Sequence, residues 1–111
     1  MNKFEFLGRL TKDIEVIKAK NGKDFVSFTV AVDRKSDKEK TDFIDCVAFG
    51  KLAETLLKYV EKGNRILIEG ELNINFYDDK DGKKQKSISV LVNDFYFVDF
   101  KKELTKKENN F

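Results

Sequence analysis

Phe43, Asp45, Val47 and Phe49 alternate along one segment, with Ile44, Cys46 and Ala48 between them. Successive strand residues point to opposite faces. A carboxylate without a partner does not enter a small core. Asp45 therefore faces outward and carries Phe43 and Phe49 with it. Exposed flat rings can stack on any nucleobase, at about 1–3 kcal/mol per base. The competing reading covers both rings with a second subunit or a loop. Basic clusters occur at Arg34-Lys35 with Lys38 and Lys40, at Lys83-Lys84 with Lys86, and at Lys101-Lys102 with Lys106-Lys107. Any one of them could simply solubilise a loop. Three of them beside aromatic-rich strands point to nucleic-acid phosphates.

Other chemistries are poorly provided for. There is no histidine and a single cysteine, Cys46. Zinc sites of the Cys/His type, His-based triads and internal disulfides are thereby excluded. A carboxylate-only mechanism would need two acids fixed across a cleft, and most Asp and Glu lie in loop-like charge runs. The sequence predicts a binding protein with no catalytic residue, no cofactor and no metal. Its 111 residues, 41% hydrophobic and 38% charged with net charge +2, suit one globular domain. No apolar run approaches the ~20 residues of a membrane span. Charged residues interrupt the N-terminus where a signal peptide would be apolar. A cytoplasmic location is the expectation.

The elements that must position these residues follow from alternation. Residues 3–19 read as a long strand bent near Thr11-Lys12-Asp13, before a turn at Asn21-Gly22. In 24–34, Val26, Phe28, Val30 and Val32 face one side, Ser27, Thr29 and Asp33 the other. The third strand is 41–49. Leu52, Ala53, Leu56, Leu57, Tyr59 and Val60 then recur at helical spacing up to Lys62, where Gly63 stops the helix. In 65–77, Ile66, Ile68, Gly70, Leu72, Ile74 and Phe76 are expected inside. Asn73, Asn75 and Tyr77 are expected outside. In 84–98, Ile88, Val90 and Val92 share a face. Phe95 and Phe97 have the opposite parity and belong to the core if a bulge sits near Asn93-Asp94.

Strand, strand, strand, helix, strand, strand is the order of the oligonucleotide-binding fold, a five-stranded Greek-key barrel. The expected class is all-β with one helix between strands three and four. That fold typically binds nucleic acid on strands two and three, between two of its loops. Phe43 and Phe49 lie on strand three, and Tyr77 lies where strand four enters such a loop. The expected domain is 1–100. The expected tail, 101–111, is short, basic and disordered.

Three stretches in order carry a family resemblance. They are Asn2-Lys3 with Phe6-Leu7-Gly8-Arg9-Leu10-Thr11-Lys12-Asp13, then Phe43 to Glu54, then Lys62-Gly63 with Ile68-Glu69-Gly70-Glu71-Leu72. From Asn2 to about Phe100 the chain resembles bacterial and phage single-stranded DNA-binding proteins. The resemblance implies base stacking at Phe43, Phe49 and Tyr77, and phosphate contacts from Lys51 and Lys62. Asn73, Asn75, Arg34, Lys84 and Lys86 complete the expected DNA-binding set. It also implies a homotetramer, a dimer of dimers whose first strands pair through Asn2, Lys3, Phe4, Glu5, Phe6 and Leu7. Roles in DNA replication, recombination and repair are implied, in a bacterial nucleoid or for a phage.

The chain departs from the family pattern in places. Asp33-Arg34-Lys35-Ser36 stands where many relatives carry another aromatic. Asp45, Asn73 and Asn75 stand where well-studied relatives carry Arg. The family's acidic tip, which recruits replication and repair proteins, is not matched by 101–111: either such recruitment is not expected, or the chain is truncated. Two other readings fit this order of elements: a dimeric primosomal replication accessory, and an oligonucleotide-binding barrel used for protein contacts.

Overall fold

The computed structural model describes residues 1–99. Alternation becomes six strands and one helix: β1 (Phe4–Leu10), β2 (Glu15–Ile17), β3 (Phe25–Asp33), β4 (Thr41–Phe49), α1 (Gly50–Tyr59), β5 (Arg65–Asp78) and β6 (Lys84–Phe97). The expected bend near Thr11-Lys12-Asp13 is where the first segment divides into β1 and β2. The strands run β1-β5-β6-β4-β3-β2, and a further β1–β3 pairing at Arg9↔Ala31 and Leu10↔Val30 closes the ring. β4 and β6 are parallel neighbours, at Cys46↔Val90 and Val47↔Leu91, and the other pairs are antiparallel. This closed five-strand circuit, with β2 as an edge extension of β3, is the topology of the oligonucleotide-binding barrel.

The inward parity of each strand fills the barrel. Leu10, Val26, Phe28, Val30, Cys46, Ala48, Ile66, Ile68, Val90, Val92 and Phe95 are buried together. The helix contributes Ala53 and Leu56, and Val60 follows directly after it. It packs on β3 and β4. It is shorter than the spacing suggests: Val60 already has extended backbone while its amide still bonds the Leu56 carbonyl at 3.0 Å.

Two glycines let strands cross closely. A Cβ on Gly8 would lie 2.4 Å from the Ala31 carbonyl oxygen, and one on Gly70 2.4 Å from the Leu91 carbonyl oxygen. Beside Gly70 the β5–β6 register slips. Glu69 pairs with Asp94 and Gly70 with Val92, so Asn93 is the extra residue of a bulge. The bulge reverses parity and turns Phe95 and Phe97 toward the core, as the sequence predicts. Their rings meet edge to face at 5.0 Å.

One expectation fails. Ile74, Phe76 and Ile88 keep the inward parity but are exposed, at 46%, 71% and 49%. The hairpin of β5 and β6 outruns the strands that would cover it. The charged loop 35–40 folds back on itself, with the Arg34 amide bonded to the Lys40 carbonyl and the Lys40 amide to the Asp37 carbonyl. The expected tail, 101–111, lies outside the described residues.

Candidate nucleic-acid interface

The β3–β4 register builds the outer surface. It sets Phe25 opposite Phe49, Ser27 opposite Val47, Thr29 opposite Asp45 and Ala31 opposite Phe43. Asp45 faces outward, as its charge requires, and accepts a 2.9 Å hydrogen bond from the Thr29 hydroxyl. Phe43 and Phe49 are exposed with it, at 67% and 47%. Phe49 leans on Phe25, with ring centroids 5.3 Å apart and planes tilted by 36°. Phe25 is a residue the sequence analysis missed. Its signal was present, since it shares parity with the outward Ser27 and Thr29.

The surface continues across the barrel. Val47 neighbours Leu91, and Leu91 pairs with Glu71. Asn73 pairs with Ser89 and Asn75 with Ser87, so both asparagines face outward. Ser89 shares a groove of about 280 Å³ with Phe43, Asp45, Phe4, Leu72 and Ile88. Tyr77 pairs with Gln85 farther along the ribbon and is half exposed. Phe43, Phe49, Asn73, Asn75 and Tyr77 therefore share the outward parity of adjoining strands.

The basic residues are more dispersed. Lys51 is exposed in the first turn of α1, two residues after Phe49. Lys62 is exposed beyond the helix, where its amide bonds Asp13 at 3.0 Å. Lys84 pairs with Asp78 and Lys86 with Phe76, on the ribbon face opposite Tyr77. Arg34 already holds Asp42 through Nε and Nη2, at 3.0–3.2 Å. That pairing raises the arginine pKa and lowers the aspartate's. A cation the sequence did not single out, Lys12, lines a polar groove with Asp13, Glu15, Ser27 and Thr29. Lys101, Lys102, Lys106 and Lys107 lie outside the described residues.

The surface offers flat apolar rings, amide and hydroxyl groups, and peripheral lysines. Such a set suits an extended strand of bases and phosphates. Beneath it, burial pushes the Cys46 thiol up to about 12, with the Asp45 carboxylate adding to the shift. A thiol so raised is a poor nucleophile.

The residues expected at a subunit contact lie on β1. Phe4 to Arg9 pair with β5, while the other edge of β1 pairs only at Arg9 and Leu10. Asn2 is engaged within the chain: its side-chain amide donates to the Leu72 carbonyl and its oxygen accepts from the Leu72 amide, both at 2.9 Å. Lys3 bridges Glu5 at 3.2 Å and Glu69 at 3.3 Å. Glu5, Leu7 and Arg9 face outward, whereas Phe6 packs against the core. No helix of the described residues is long and apolar enough to cross a membrane.

Comparison with known proteins agrees with this fold. A single-stranded DNA-binding protein of Clostridium perfringens is 40% identical over 100 residues, which cover 89% of this chain and 67% of that protein. One from Fusobacterium nucleatum is 40% identical over 107 residues, covering 91% and 69%. Single-stranded DNA-binding protein 2 of Streptococcus agalactiae is 37% identical, covering 98% and 86%. The crystal structure of a mitochondrial single-stranded DNA-binding protein from S. cerevisiae superposes with a TM-score of 0.72 at 18% identity, over 86% of this chain and 93% of that one. It shares the fold. The model of the single-strand binding protein family matches residues 1–98, and with the relatives above it shows that this chain belongs to that family.

Proposed function

We propose that this protein binds single-stranded DNA without reading its sequence, on the outer surface of β3, β4, β5 and β6. The observation that carries this reading is the exposure of Phe43 and Phe49 beside the outward Asp45. Phe43, Phe49 and Tyr77 stack on bases, and Phe25 braces Phe49 from beside it. Asn73 and Asn75 donate to the strand. Lys51, Lys62, Lys84 and Lys86 neutralise phosphates and release counterions. Arg34 contributes only when a phosphate displaces or shares Asp42. Asp45 repels phosphates, so the sugar–phosphate path runs outside the ring surface while bases lie over it. Duplex DNA is refused because its bases are already stacked on each other.

The protein acts by binding, with no reaction, cofactor or metal, in the cytoplasm, and serves replication, recombination and repair. Residues 1–100 form the binding domain. It works as a homotetramer. The free edge of β1 supports pairing of Asn2 to Leu7 between two copies. A second contact is supported by three outward rows: Glu5, Glu69 and Asp94, then Leu7, Leu67 and Tyr96, then Arg9 and Arg65. Two such faces apposed about a twofold axis through the middle row set acidic against basic ends.

Fluorescence anisotropy of labelled oligo-dT about 35 nucleotides long, beside the matching duplex, tests the reading at several salt concentrations. The single strand binds tightly and the duplex weakly. The Phe43→Ala/Phe49→Ala double variant loses at least tenfold in affinity while still folded, from about 1–3 kcal/mol per lost stack. No single-strand binding at low salt would defeat the proposal and leave the rings as a protein contact.

A further inference from the structure

The β5–β6 ribbon has a second face, on which the proposed function uses Lys84 and Lys86 but leaves the apolar side chains without a role. Beyond the barrel its residues pair as Ile74↔Ile88, Phe76↔Lys86 and Asp78↔Lys84. Paired residues of an antiparallel ribbon share a face. This face therefore carries an apolar step, an aromatic ring, two lysines and one aspartate, with a net positive charge. Phe76 is, after Met1, the most exposed large hydrophobic residue among those described. Phe76 and Tyr77 are consecutive, so they point to opposite sides of the ribbon.

With Ile74 and Ile88 beside it on the same face, Phe76 completes a contiguous exposed apolar patch, of the kind that marks a binding site. Charge favours an anionic one, because Lys86 stands directly across from Phe76 and Lys84 follows on the same side. Continuity favours the strand already on the barrel. The groove lined by Phe43, Ser89, Leu72 and Ile88 joins the outer surface to the start of this second face. Aromatic rings flanked by lysines are the chemistry that holds single-stranded nucleic acid.

We propose that Phe76 is a further base-stacking residue. The DNA strand leaves Phe43, crosses the groove at Ile88 and continues over Phe76, with Lys84 and Lys86 on its phosphates. The ribbon is thus gripped by DNA on both faces, Tyr77 on one and Phe76 on the other. This inference rests on the single-strand reading above and extends the path of the same ligand.

The test uses the full chain with oligo-dT about 35 nucleotides long, carrying 5-iodo-deoxyuridine at single positions. Photocrosslinking and peptide mapping should find adducts at Phe76 in the wild type. Phe76→Ala should weaken binding about tenfold, and Phe76→Tyr should restore it. Lys84→Gln/Lys86→Gln should flatten the dependence of log affinity on log salt by about 1.4, at about 0.7 for each phosphate no longer neutralised. Sedimentation should show an unchanged subunit number in the Phe76→Ala variant. If the wild type binds and Phe43→Ala weakens it, yet Phe76→Ala does not and no adduct forms at Phe76, this inference falls and the barrel surface stands. A changed subunit number with unchanged DNA affinity would assign the face to contacts between copies, and would also overturn it. No binding by the wild type would overturn both readings.

Discussion

The two halves of β5 obey one alternation and meet different fates. In the first half Ile66 and Ile68 are 1% and 0% exposed, while in the second Ile74 and Phe76 are 46% and 71% exposed. The division lies just after Gly70, where the chain crosses β6 closely and the register slips. Before it, β1 lies on one side of β5 and β6 on the other. From Glu71 on, β6 is the only strand neighbour of β5 among the described residues, and beyond Leu72, where β6 no longer pairs with β4, the ribbon is two strands wide. One half is a wall of the barrel. The other is a ribbon whose both faces meet solvent. A side chain's parity names its face, and only the strands across the barrel decide whether that face is covered.

Substitutions at matched positions sharpen this contrast. Ile68→Ala should cost about 2–5 kcal/mol in chemical denaturation, the range for a fully buried aliphatic truncation. Gly70→Ala should cost about 1–3 kcal/mol, because the added methyl meets a backbone carbonyl that cannot swing away.

The barrel half also carries a pH signature. The ordinary thiol value is 9.0, and in the folded chain burial raises that of Cys46 to about 12. The folded state thus holds its proton more tightly. This contribution is complete below pH 9 and is lost as pH rises from there toward 12. The loss should be about 1.4 kcal/mol for each pH unit in that window. Cys46→Ala should remove this slope when its urea midpoints are compared with wild type across pH 8–11, and an equal slope in both proteins would refute it.

The smallest effect belongs to the ribbon half. Ile74→Ser should change stability by no more than about 0.5 kcal/mol, as an exposed site does. A cost resembling that of Ile68→Ala would break the comparison and mean that a second copy covers the ribbon in solution.

Much of this was legible in the chain. The charge of Asp45 located the outward face of β4, and with it Phe43 and Phe49. The parity change before Phe95 located the bulge, because the barrel needs the volume of Phe95 and Phe97 at that end of the strand. The helix was legible from Leu52, Ala53 and Leu56, though not its last turn, where Val60 turns extended to keep its side chain in the core. The side of Phe25 was marked by its parity with Ser27 and Thr29, but its partner was not. Its role shows only in the register that sets it against Phe49.

By itself, the sequence determined the element order, the inner and outer sides of each strand and the two rings of the β4 surface. Those properties depend on neighbours a few residues apart, through alternation, helical spacing and the cost of burying charge. Tertiary structure alone decided where cover ends along β5, that Lys84 and Lys86 stand with Phe76 and not with Tyr77, and that Arg34 holds Asp42. Cover, ribbon pairing and ion pairing depend on residues brought together by register and barrel closure, which no local pattern encodes.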